Sequence, residues 1–406
     1  MRWPRAFSAM RHRNFRLFFF GQLISVVGAW MQSTAQQWLV YRITGSQTSL
    51  GMVTFIGFLP LLLFSLFMGV LVDQVSRRRL IIFTQSWFML LAVILAVLTA
   101  TGLVQYWHIL VLAALLGIGN ALDMPARQAF VVEMVDQDKT DMMNAIGLNS
   151  TLFNLARIVG PAIGGAVVAA LGEAPAFVIN AVTFLAVIAA LLLMRLPPHS
   201  RPKKQPRAWH NLKAGFRYMK NTRQVLGLVI MIAAFSMVGF GALTLLPAFA
   251  KDVLNTGVEG FGQLLSAQGL GALIGALSLV VAGDFFHKGR LLLFSRVTLG
   301  LAIGGLSLSR IPWLSLLLLV VVGHAFITQL ILTNTLIQTF VPDELRGRVI
   351  STYTWALGGF YPLGSLLMGL LGDRWGAPTA AMISAVGCGA LVVVNLIVFP
   401  KMRQLQ

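Results

Sequence analysis

The sequence predicts an all-α membrane protein in which twelve transmembrane helices form two six-helix bundles. Composition is the first reason, because 57% of the 406 residues are hydrophobic and only 11% are charged, whereas soluble domains carry about 25% charged residues. The second reason is a series of twelve nearly uncharged apolar runs, each long enough to cross a membrane as a helix. The third is a single long hydrophilic stretch after the sixth run. This pattern argues against a soluble enzyme or a cytosolic binding module.

The twelve apolar runs are predicted to be helices rather than strands. Membrane β-strands alternate apolar and polar side chains over about ten residues, whereas runs such as 90–98 and 314–322 are apolar on every side. The predicted helices cover residues 15–38, 48–72, 79–101, 107–131, 143–170, 175–196, 224–250, 261–283, 290–309, 314–339, 348–371 and 377–399.

The distribution of charge predicts the topology. The 31 Lys and Arg residues outnumber the 13 Asp and Glu residues, which gives a net charge of +18. Cationic loops stay in the cytoplasm, and these cations are concentrated before the first helix, after the second, and between the halves. We therefore expect an inner-membrane protein with both termini in the cytoplasm and an uncleaved first helix. Topology accounts for most of the positive charge, so no nucleic-acid partner is expected.

No metal site or cofactor is expected from the sequence. The single cysteine, Cys388, lies in an apolar helix, which excludes a disulfide framework or a thiolate metal site. The six histidines are scattered without the spacing of a metal pair, and the sequence contains no phosphate-binding loop. These observations argue against an intramembrane enzyme and against direct use of ATP.

The chain is predicted to consist of an N-terminal bundle (1–196), a basic cytoplasmic linker with an amphipathic helix (197–223) and a C-terminal bundle (224–406). The halves repeat each other at an offset of roughly 200 to 210 residues, since Arg79 is matched by Arg290 and Pro161 by Pro362. A parallel duplication of six helices places a cavity between the halves near the bilayer midplane. The sequence therefore predicts that substrate binds between the halves.

The loop after the second predicted helix resembles the Gly-x-Leu-x-Asp-Arg-x-Gly-Arg-Arg signature of the major facilitator superfamily, and the resemblance extends over essentially the whole chain. The matching residues are Gly69, Leu71, Asp73, Arg77, Arg78 and Arg79. Gln74 and Ser76 depart from the signature. Asp73 and Arg77 are four residues apart, so they can form an ion pair that holds one gate state. The alternative is that these cations only fix topology.

A second motif lies in the fifth predicted helix and resembles the Gly-Pro-x-x-Gly-Gly antiporter signature of the superfamily's exporters. Its residues are Arg157, Gly160, Pro161, Gly164 and Gly165. Proline removes a backbone hydrogen bond, and the glycines offer a face for close helix packing, although ordinary packing is the alternative interpretation. Arg157 has no carboxylate three or four residues away. We therefore expect it to face the cavity, where it could attract an anionic or catecholate cargo.

Three further stretches, 11–18, 124–130 and 341–349, resemble the enterobactin-exporter branch of the superfamily. This resemblance implies the major facilitator fold and the export of siderophore-like or drug-like amphipathic molecules in exchange for protons. The resemblance does not identify the cargo. The expected partners are a small-molecule substrate, protons and the lipid bilayer, and the protein is expected to be a monomer.

Four ionisable side chains fall inside predicted helices: Asp123, Arg127, Arg157 and His324. Such groups cost about 2.5 to 3.5 kcal/mol at the centre of a membrane helix, so they are functional candidates. Asp123 and Arg127 share one helix face and can pair with each other or with Arg77 and Asp73. We expect a gating role for Asp123, with proton carriage or inert pairing as alternatives. His324 is either a proton-coupling group or a hydrogen-bonded core residue.

The superfamily resemblance implies that helices 1, 4, 7 and 10 line the cavity. The candidates are Gln32, Gln36, Arg157, Phe235, Phe240, Gln329, Asn334 and Trp355. Gln263 and Gln268, in helix 8, rank below them. An amide- and aromatic-lined pocket would suit aromatic amphiphiles, whereas interhelical hydrogen bonds and lipid-facing packing are the plainer interpretations.

The sequence thus favours a proton-coupled exporter that works by alternating access. A lipid or lysolipid flippase, an importer or a uniporter on the same fold are the alternatives. The motif in the fifth helix argues against an importer but not firmly against a flippase. A non-transporting receptor is a further alternative, although the loops are too short for a sensing domain.

Overall fold

The prediction of an all-helical membrane protein is confirmed. The computed structural model describes residues 5–135, 139–195, 216–283 and 287–400. Within these ranges, twelve helices are long and apolar enough to cross a membrane, and no β-strand occurs.

Each predicted segment coincides with one helix. The helices are α1 (Arg13–Thr44), α2 (Gln47–Gln74), α3 (Arg77–Ala100), α4 (Tyr106–Glu133), α5 (Lys139–Leu171), α6 (Glu173–Leu193), α7 (Arg223–Val253), α8 (Gly257–Ala282), α9 (Lys288–Leu308), α10 (Pro312–Phe340), α11 (Asp343–Trp375) and α12 (Ala377–Val398). A short 3-10 helix, Arg5–Arg11, precedes α1. Several helices are longer than the predicted apolar runs, because the polar residues that flank these runs are also helical.

The turn between α1 and α2 shows how the sequence sets a helix boundary. Gly45 adopts a left-handed conformation (φ 62°) and donates its N–H to the carbonyl of Tyr41, which ends α1. Ser46 then caps α2, because its hydroxyl accepts a hydrogen bond from the backbone N–H of Ser49 at 3.2 Å. The two helices are therefore joined by only two residues.

Helix α7 differs from its prediction as a continuous helix over 224–250. It is α-helical over Arg223–Val238, changes to a 3-10 helix over Phe240–Leu245, and closes with a π turn over Phe249–Val253. The backbones of α7 and α11 touch in this region, since a Cβ atom on Gly241 would lie 2.5 Å from the carbonyl carbon of Gly364. Glycine allows this approach and also weakens the regular helix.

Helices α1–α6 pack with one another and form the N-terminal half, and α7–α12 form the C-terminal half in the same way. The halves meet mainly along two pairs of helices, α2 with α11 and α5 with α8. We call the end of the molecule where α1 begins and α12 ends the termini face, and the other end the opposite face. The predicted linker helix falls largely on residues 196–215, which lie outside the described residues, and residues 216–221 are helical.

The outer surface of both halves is apolar. Leu301 and Leu308 of α9 and Val281 of α8 are each more than 70% exposed. Aliphatic side chains of this kind gain nothing from water, and a continuous surface of them suits the hydrocarbon of a bilayer. The twelve apolar helices and this surface identify a multi-pass membrane protein.

Candidate substrate and gating site

The halves approach each other most closely at glycine residues. A Cβ atom on Gly51 of α2 would lie 2.5 Å from the carbonyl oxygen of Ser365 of α11. On the other helix pair, a Cβ atom on Gly262 of α8 would lie 2.4 Å from the carbonyl oxygen of Pro161 of α5. Small residues at these positions let the helix backbones touch across the interface.

Arg157 occupies the centre of the interface between the halves. Its Nη2 donates a hydrogen bond to Oε1 of Gln268, on α8, at 2.9 Å. The guanidinium also lies 5.9 Å from the ring centre of Trp30 on α1 and 5.5 Å from that of Phe326 on α10, within the range of cation–π attraction. Arg157 therefore contacts side chains from both halves.

The glycines of the α5 motif serve two different interfaces. A Cβ atom on Gly160 would lie 2.4 Å from Cβ of Trp30, and one on Gly164 would lie 2.9 Å from the carbonyl oxygen of Met31, so both face α1. Gly165 faces α8, where the nearest atom would be the carbonyl oxygen of Val258 at 2.9 Å. The motif thus fixes α5 to its own half and to the partner half at once.

Pro161 has a direct effect on the hydrogen bonds around Arg157. Proline lacks the N–H that would bond to the carbonyl four residues earlier, which is that of Arg157. In the same turn, the hydroxyl of Ser266 on α8 donates to the carbonyl of Ile158 at 2.6 Å. A side chain of the other half therefore takes part in the polar contacts of this turn of α5.

The other predicted cavity residues are distributed over several environments. Gln32 accepts a hydrogen bond from Asn180 of α6 at 2.6 Å, within the N-terminal half. Gln329 is fully buried and donates to the carbonyl of Ser295 of α9 at 3.3 Å. Asn334 accepts from Gln338, one turn further along α10. The structure does not bring these amides together at Arg157.

The predicted aromatic candidates and Gln36 also lie in different environments. Phe240 is buried and stacks edge-on against Phe326, with ring centres 4.0 Å apart, so it supports a neighbour of Arg157. Phe235 is buried inside the C-terminal half. Trp355 is 44% exposed on α11, and Gln36 is half-buried on α1.

Gln268 ranks low among the candidates predicted from the sequence, yet Gln268 is the hydrogen-bond partner of Arg157. Trp30 and Phe326 are not among the sequence candidates. A signal was available: Gln268 is followed by Gly269, and a Cβ atom on Gly269 would lie 3.0 Å from the carbonyl oxygen of Arg157. A glycine beside a glutamine in the middle of an apolar helix indicates close approach by another helix.

Asp123 is the centre of a second polar cluster, which lies inside the N-terminal half toward the termini face. Its Oδ1 accepts hydrogen bonds from Thr84 at 2.6 Å and Gln85 at 3.1 Å, both on α3. Its Oδ2 accepts from Nε of Arg127 at 2.9 Å and also from Nη2. The carboxylate is 4% exposed. Of the pairings that the sequence left open, the structure therefore joins Asp123 to Arg127.

The loop motif after α2 lies at the termini face. Nη1 of Arg77 donates to Oε2 of Glu133, at the end of α4, at 3.1 Å. Arg78 donates to the carbonyl of Leu192 at 3.1 Å, and Arg79 is exposed. Gly69, Leu71 and Asp73 belong to α2, but the structure does not describe the side chains of Leu71 and Asp73, so the predicted pairing of Asp73 with Arg77 stays a prediction.

His324 lies on α10 and faces α8 of the same half. Its Nε2 is 3.5 Å from the hydroxyl of Ser278, and a Cβ atom on Gly275 would lie 2.9 Å from its carbonyl oxygen. Among the described residues, no group of three or more His, Cys, Asp or Glu side chains is arranged to hold a metal ion.

At the opposite face, hydrogen bonds connect the two halves. Asp373, near the end of α11, accepts from the hydroxyl of Ser46 at 2.6 Å and from the backbone N–H groups of Gln47 at 2.6 Å and Thr48 at 3.1 Å. These N–H groups belong to the first turn of α2, where an anion is favoured by the helix dipole. A carboxylate of the C-terminal half thus binds the N-terminus of a helix in the N-terminal half.

A second contact at the opposite face supports the first. The hydroxyl of Tyr41 on α1 donates to Asp252 of α7, and the ammonium group of Lys251 lies 5.3 Å from the centre of the Tyr41 ring. Trp38 and Phe261 stack across the same interface with ring centres 6.3 Å apart. The halves are therefore closed together at the opposite face.

Comparison with known proteins identifies relatives over the whole chain. A model of the transmembrane secretion effector family matches residues 5–406. The multidrug efflux pump Tap of Mycolicibacterium fortuitum is 29% identical over 398 residues, or 96% of each chain. The staphyloferrin A transporter of Staphylococcus aureus is 27% identical over 96% of this chain and 97% of that protein. The enterobactin exporter EntS of Shigella boydii is 27% identical over 97% and 93%.

Solved structures agree on the fold. The nucleoside transporter NupG, in a mutant form, superposes with a TM-score of 0.80 at 14% identity, covering 97% of this chain and all of the other. The peptide transporter POT, also a mutant, gives 0.77 at 12% identity over 96% of this chain and 95% of that one. Both are helical membrane transporters. With the family match along its length, the chain belongs to the transmembrane secretion effector family of the major facilitator superfamily.

Proposed function

We propose that this protein is a secondary active transporter that exports small amphipathic organic molecules across the inner membrane by alternating access, in exchange for protons. The observation that carries the proposal is the position of Arg157, which belongs to the antiporter-type motif of α5 and contacts Gln268 and Phe326 of the other half. A side chain that contacts both halves can sense a cargo and the relative position of the halves together.

The surroundings of Arg157 favour an aromatic or anionic cargo. The ring centres of Trp30 and Phe326 lie 5.9 and 5.5 Å from the guanidinium. Aromatic faces attract planar apolar groups, and a guanidinium binds carboxylates or phenolates through charge-assisted hydrogen bonds. Relatives named as a staphyloferrin A transporter, an enterobactin exporter and a multidrug pump agree with a siderophore-like or drug-like cargo.

Proton coupling is assigned to the Asp123 cluster. Asp123 accepts hydrogen bonds from α3 and forms an ion pair within α4, so adding a proton would remove the charge that holds Arg127. We propose that Asp73 and Arg77 act with this pair at the termini face as a gate, and that His324 contributes to coupling from the C-terminal half. In this proposal both termini face the cytoplasm and the protein works as a monomer.

The direction of transport is tested with inside-out membrane vesicles that have an acidic lumen. Catecholates, antibiotics and lysolipids would be offered to vesicles that contain the wild-type protein or Arg157→Gln. We expect proton-dependent accumulation of at least one aromatic compound and a loss of at least tenfold in Arg157→Gln. Arg310→Gln is the matched control, because Arg310 is exposed at the opposite face and donates only to backbone carbonyls of its own loop.

Each alternative function gives a different result in the same experiment. Accumulation only in right-side-out vesicles would identify an importer, and accumulation without a proton gradient a uniporter. Movement of lysolipids alone would identify a flippase. Any of these outcomes would contradict the proposal of an exporter of small organic molecules.

Proton coupling is tested separately in proteoliposomes by measuring proton release on addition of the transported compound. Asp123→Asn and Asp73→Asn should each abolish the signal while the compound still binds. Glu344→Gln is the control, since Glu344 is an exposed carboxylate at the same face, in the first turn of α11. Retained proton release in both variants would remove these carboxylates from the coupling mechanism.

A further inference from the structure

A second arginine is buried without a counter-ion among the described residues. Arg296 of α9 is 1% exposed, and none of its three guanidinium nitrogens has a hydrogen-bond partner in the part of the chain that the structure describes. The contact described for this group is the ring of Phe235 on α7, whose centre lies 5.4 Å away. A buried charge without a partner is strongly unfavourable, so an anion bound at this site would stabilise the protein.

The internal repeat shows what occupies the same place in the other half. Arg290 follows Arg79 by 211 residues, and the same offset places Arg296 on Gln85. Val341 follows Val135 by 206 residues, and that offset places Gln329 on Asp123. The side-chain contacts agree with the alignment. Gln85 and Thr84 of α3 bond to Asp123 of α4, and Gln329 of α10 bonds to the carbonyl of Ser295 of α9.

The two halves differ in charge at this shared position. In the N-terminal half, the Asp123 carboxylate is paired with Arg127. In the C-terminal half, the matching positions hold neutral Gln329 and Thr333, and the cation, Arg296, lies on α9 instead. Oε1 of Gln329 and the hydroxyl of Thr333 are buried and also lack partners. The C-terminal half therefore has a cation and an unpartnered hydroxyl where the N-terminal half has a complete ion pair.

No described carboxylate of the C-terminal half completes the pair. Its described acids lie near the ends of helices, far along the chain from the middle of α9 and α10: Asp252, Glu259, Asp343, Glu344 and Asp373. Asp252 and Asp373 are engaged in contacts between the halves, and Asp343 pairs with Arg346. The remaining acid of this half, Asp284, lies outside the described residues.

We propose that a small anionic group, of the size of a carboxylate, binds between α9 and α10 inside the C-terminal half, at the place that corresponds to the Asp123 carboxylate. Arg296 supplies the charge and Thr333, one turn from Gln329 on the same face of α10, supplies a hydroxyl donor. The group is either a free ion or the carboxylate of a cargo molecule. This site is separate from Arg157 and does not depend on the direction of transport.

The test is thermal unfolding of the purified full-length protein in detergent, in a HEPES buffer that contains no carboxylate or halide and whose osmolality is kept constant with sucrose. Chloride, acetate and benzoate are the probes. We expect at least one of them to raise the Tm of the wild-type protein in a saturable manner, by about 2 °C or more. A response to chloride and acetate indicates a free ion, and a response to benzoate alone indicates an aromatic carboxylate such as a cargo would carry.

Three variants locate the site. Arg296→Gln should abolish the response, whereas Arg310→Gln, which removes an exposed guanidinium, should retain it. Gln329→Glu places a carboxylate at the position of Asp123, so it should raise the Tm in the buffer without added anions and remove the response to them.

The proposal is overturned if no probe stabilises the wild-type protein, or if Arg296→Gln responds like the wild type. Should Arg296→Gln fail to fold, Gln329→Glu decides, since an unchanged anion response in that variant contradicts the site. Transport activity plays no part in these readouts, so failure of the exporter proposal would leave the result intact.

Discussion

The two ends of the molecule are stabilised in different ways. At the opposite face, described hydrogen bonds cross between the halves, from Asp373 to the first turn of α2 and from Tyr41 to Asp252, beside an ion pair of Arg42 with Glu173 within the N-terminal half. At the termini face, the described ion pairs stay within one half, as in Asp123 with Arg127 and Arg77 with Glu133. The cross-half contacts of the opposite face therefore hold the halves together, whereas the described ion pairs of the termini face hold each half in shape.

This difference predicts which variants change stability and which change the conformation. A residue in the cross-half contacts should alter the equilibrium between states open at one face or the other. A residue in a buried pair within one half should alter chiefly the stability of that half. The variants below separate these effects.

Asp123→Ala should have the largest effect on stability. It leaves Arg127, whose side chain is 12% exposed, buried without its partner, and breaking a buried pair costs about 3 to 5 kcal/mol. The measurement is the free energy of unfolding in detergent, followed by tryptophan fluorescence. The matched variant Asp123→Asn keeps the shape and the acceptor oxygen and should lose less. An unchanged stability in Asp123→Ala would mean that the pair is not formed.

Asp373→Ala should have the largest effect on the closed face. It removes the anion that accepts three hydrogen bonds from the start of α2, and hydrogen bonds to a charged group contribute about 1.5 to 3 kcal/mol. The equilibrium should shift by about tenfold to a hundredfold toward opening. The rate of thiol labelling at Thr48→Cys reports the opening. Asp343→Ala, at the other end of α11, is the control and should leave the labelling rate unchanged.

Tyr41→Phe tests the second cross-half contact with a smaller change. The phenylalanine keeps the ring beneath Lys251 and removes only the hydroxyl that donates to Asp252. A single hydrogen bond contributes about 1 kcal/mol, so opening should increase about fivefold. Labelling at Thr48→Cys is again the measurement. An effect equal to that of Asp373→Ala would show that the two contacts form one unit.

Arg346→Gln should have the smallest effect. Its partner Asp343 is 84% exposed, and the pair lies within the first turn of α11. Exposed ion pairs contribute about 0 to 1 kcal/mol. The free energy of unfolding and the labelling rate should both stay near the wild-type values. A change as large as that of Asp123→Ala would contradict the distinction between buried and exposed pairs at the termini face.

Much of this arrangement follows from local sequence, and the rest does not. Twelve helices could be predicted, and Arg157 could be singled out as a candidate, because a run of apolar residues and a charge inside it are local features. The pairing of Arg157 with Gln268 could not, since it joins residues 111 positions apart on helices of different halves. The contact of Asp373 with α2 could not be predicted either. In the sequence, Asp373 is one acid near the end of a helix, and only folding brings α2 against it.

The irregular shape of α7 also escaped prediction, although Gly239 and Gly241 were visible in the sequence. Their effect depends on Gly364 of α11, whose Cβ position would lie 2.0 Å from the carbonyl oxygen of Met237. Glycine is common in membrane helices, so its presence alone did not indicate a break. Close contact between two backbones is a property of the packed structure.

In the proposed transport cycle, the halves rock against each other and the contacts of the opposite face hold one of the two states. The most direct measurement uses two pairs of spin labels on α5 and α8, in a background in which the buried Cys388 is replaced by alanine. One pair, at Met143 and Val281, reports the termini face, and the other, at Leu171 and Glu259, reports the opposite face. In Asp373→Ala, we expect the distance at the opposite face to lengthen while that at the termini face shortens. Two distances that stay fixed, or that change in the same direction, would contradict the account.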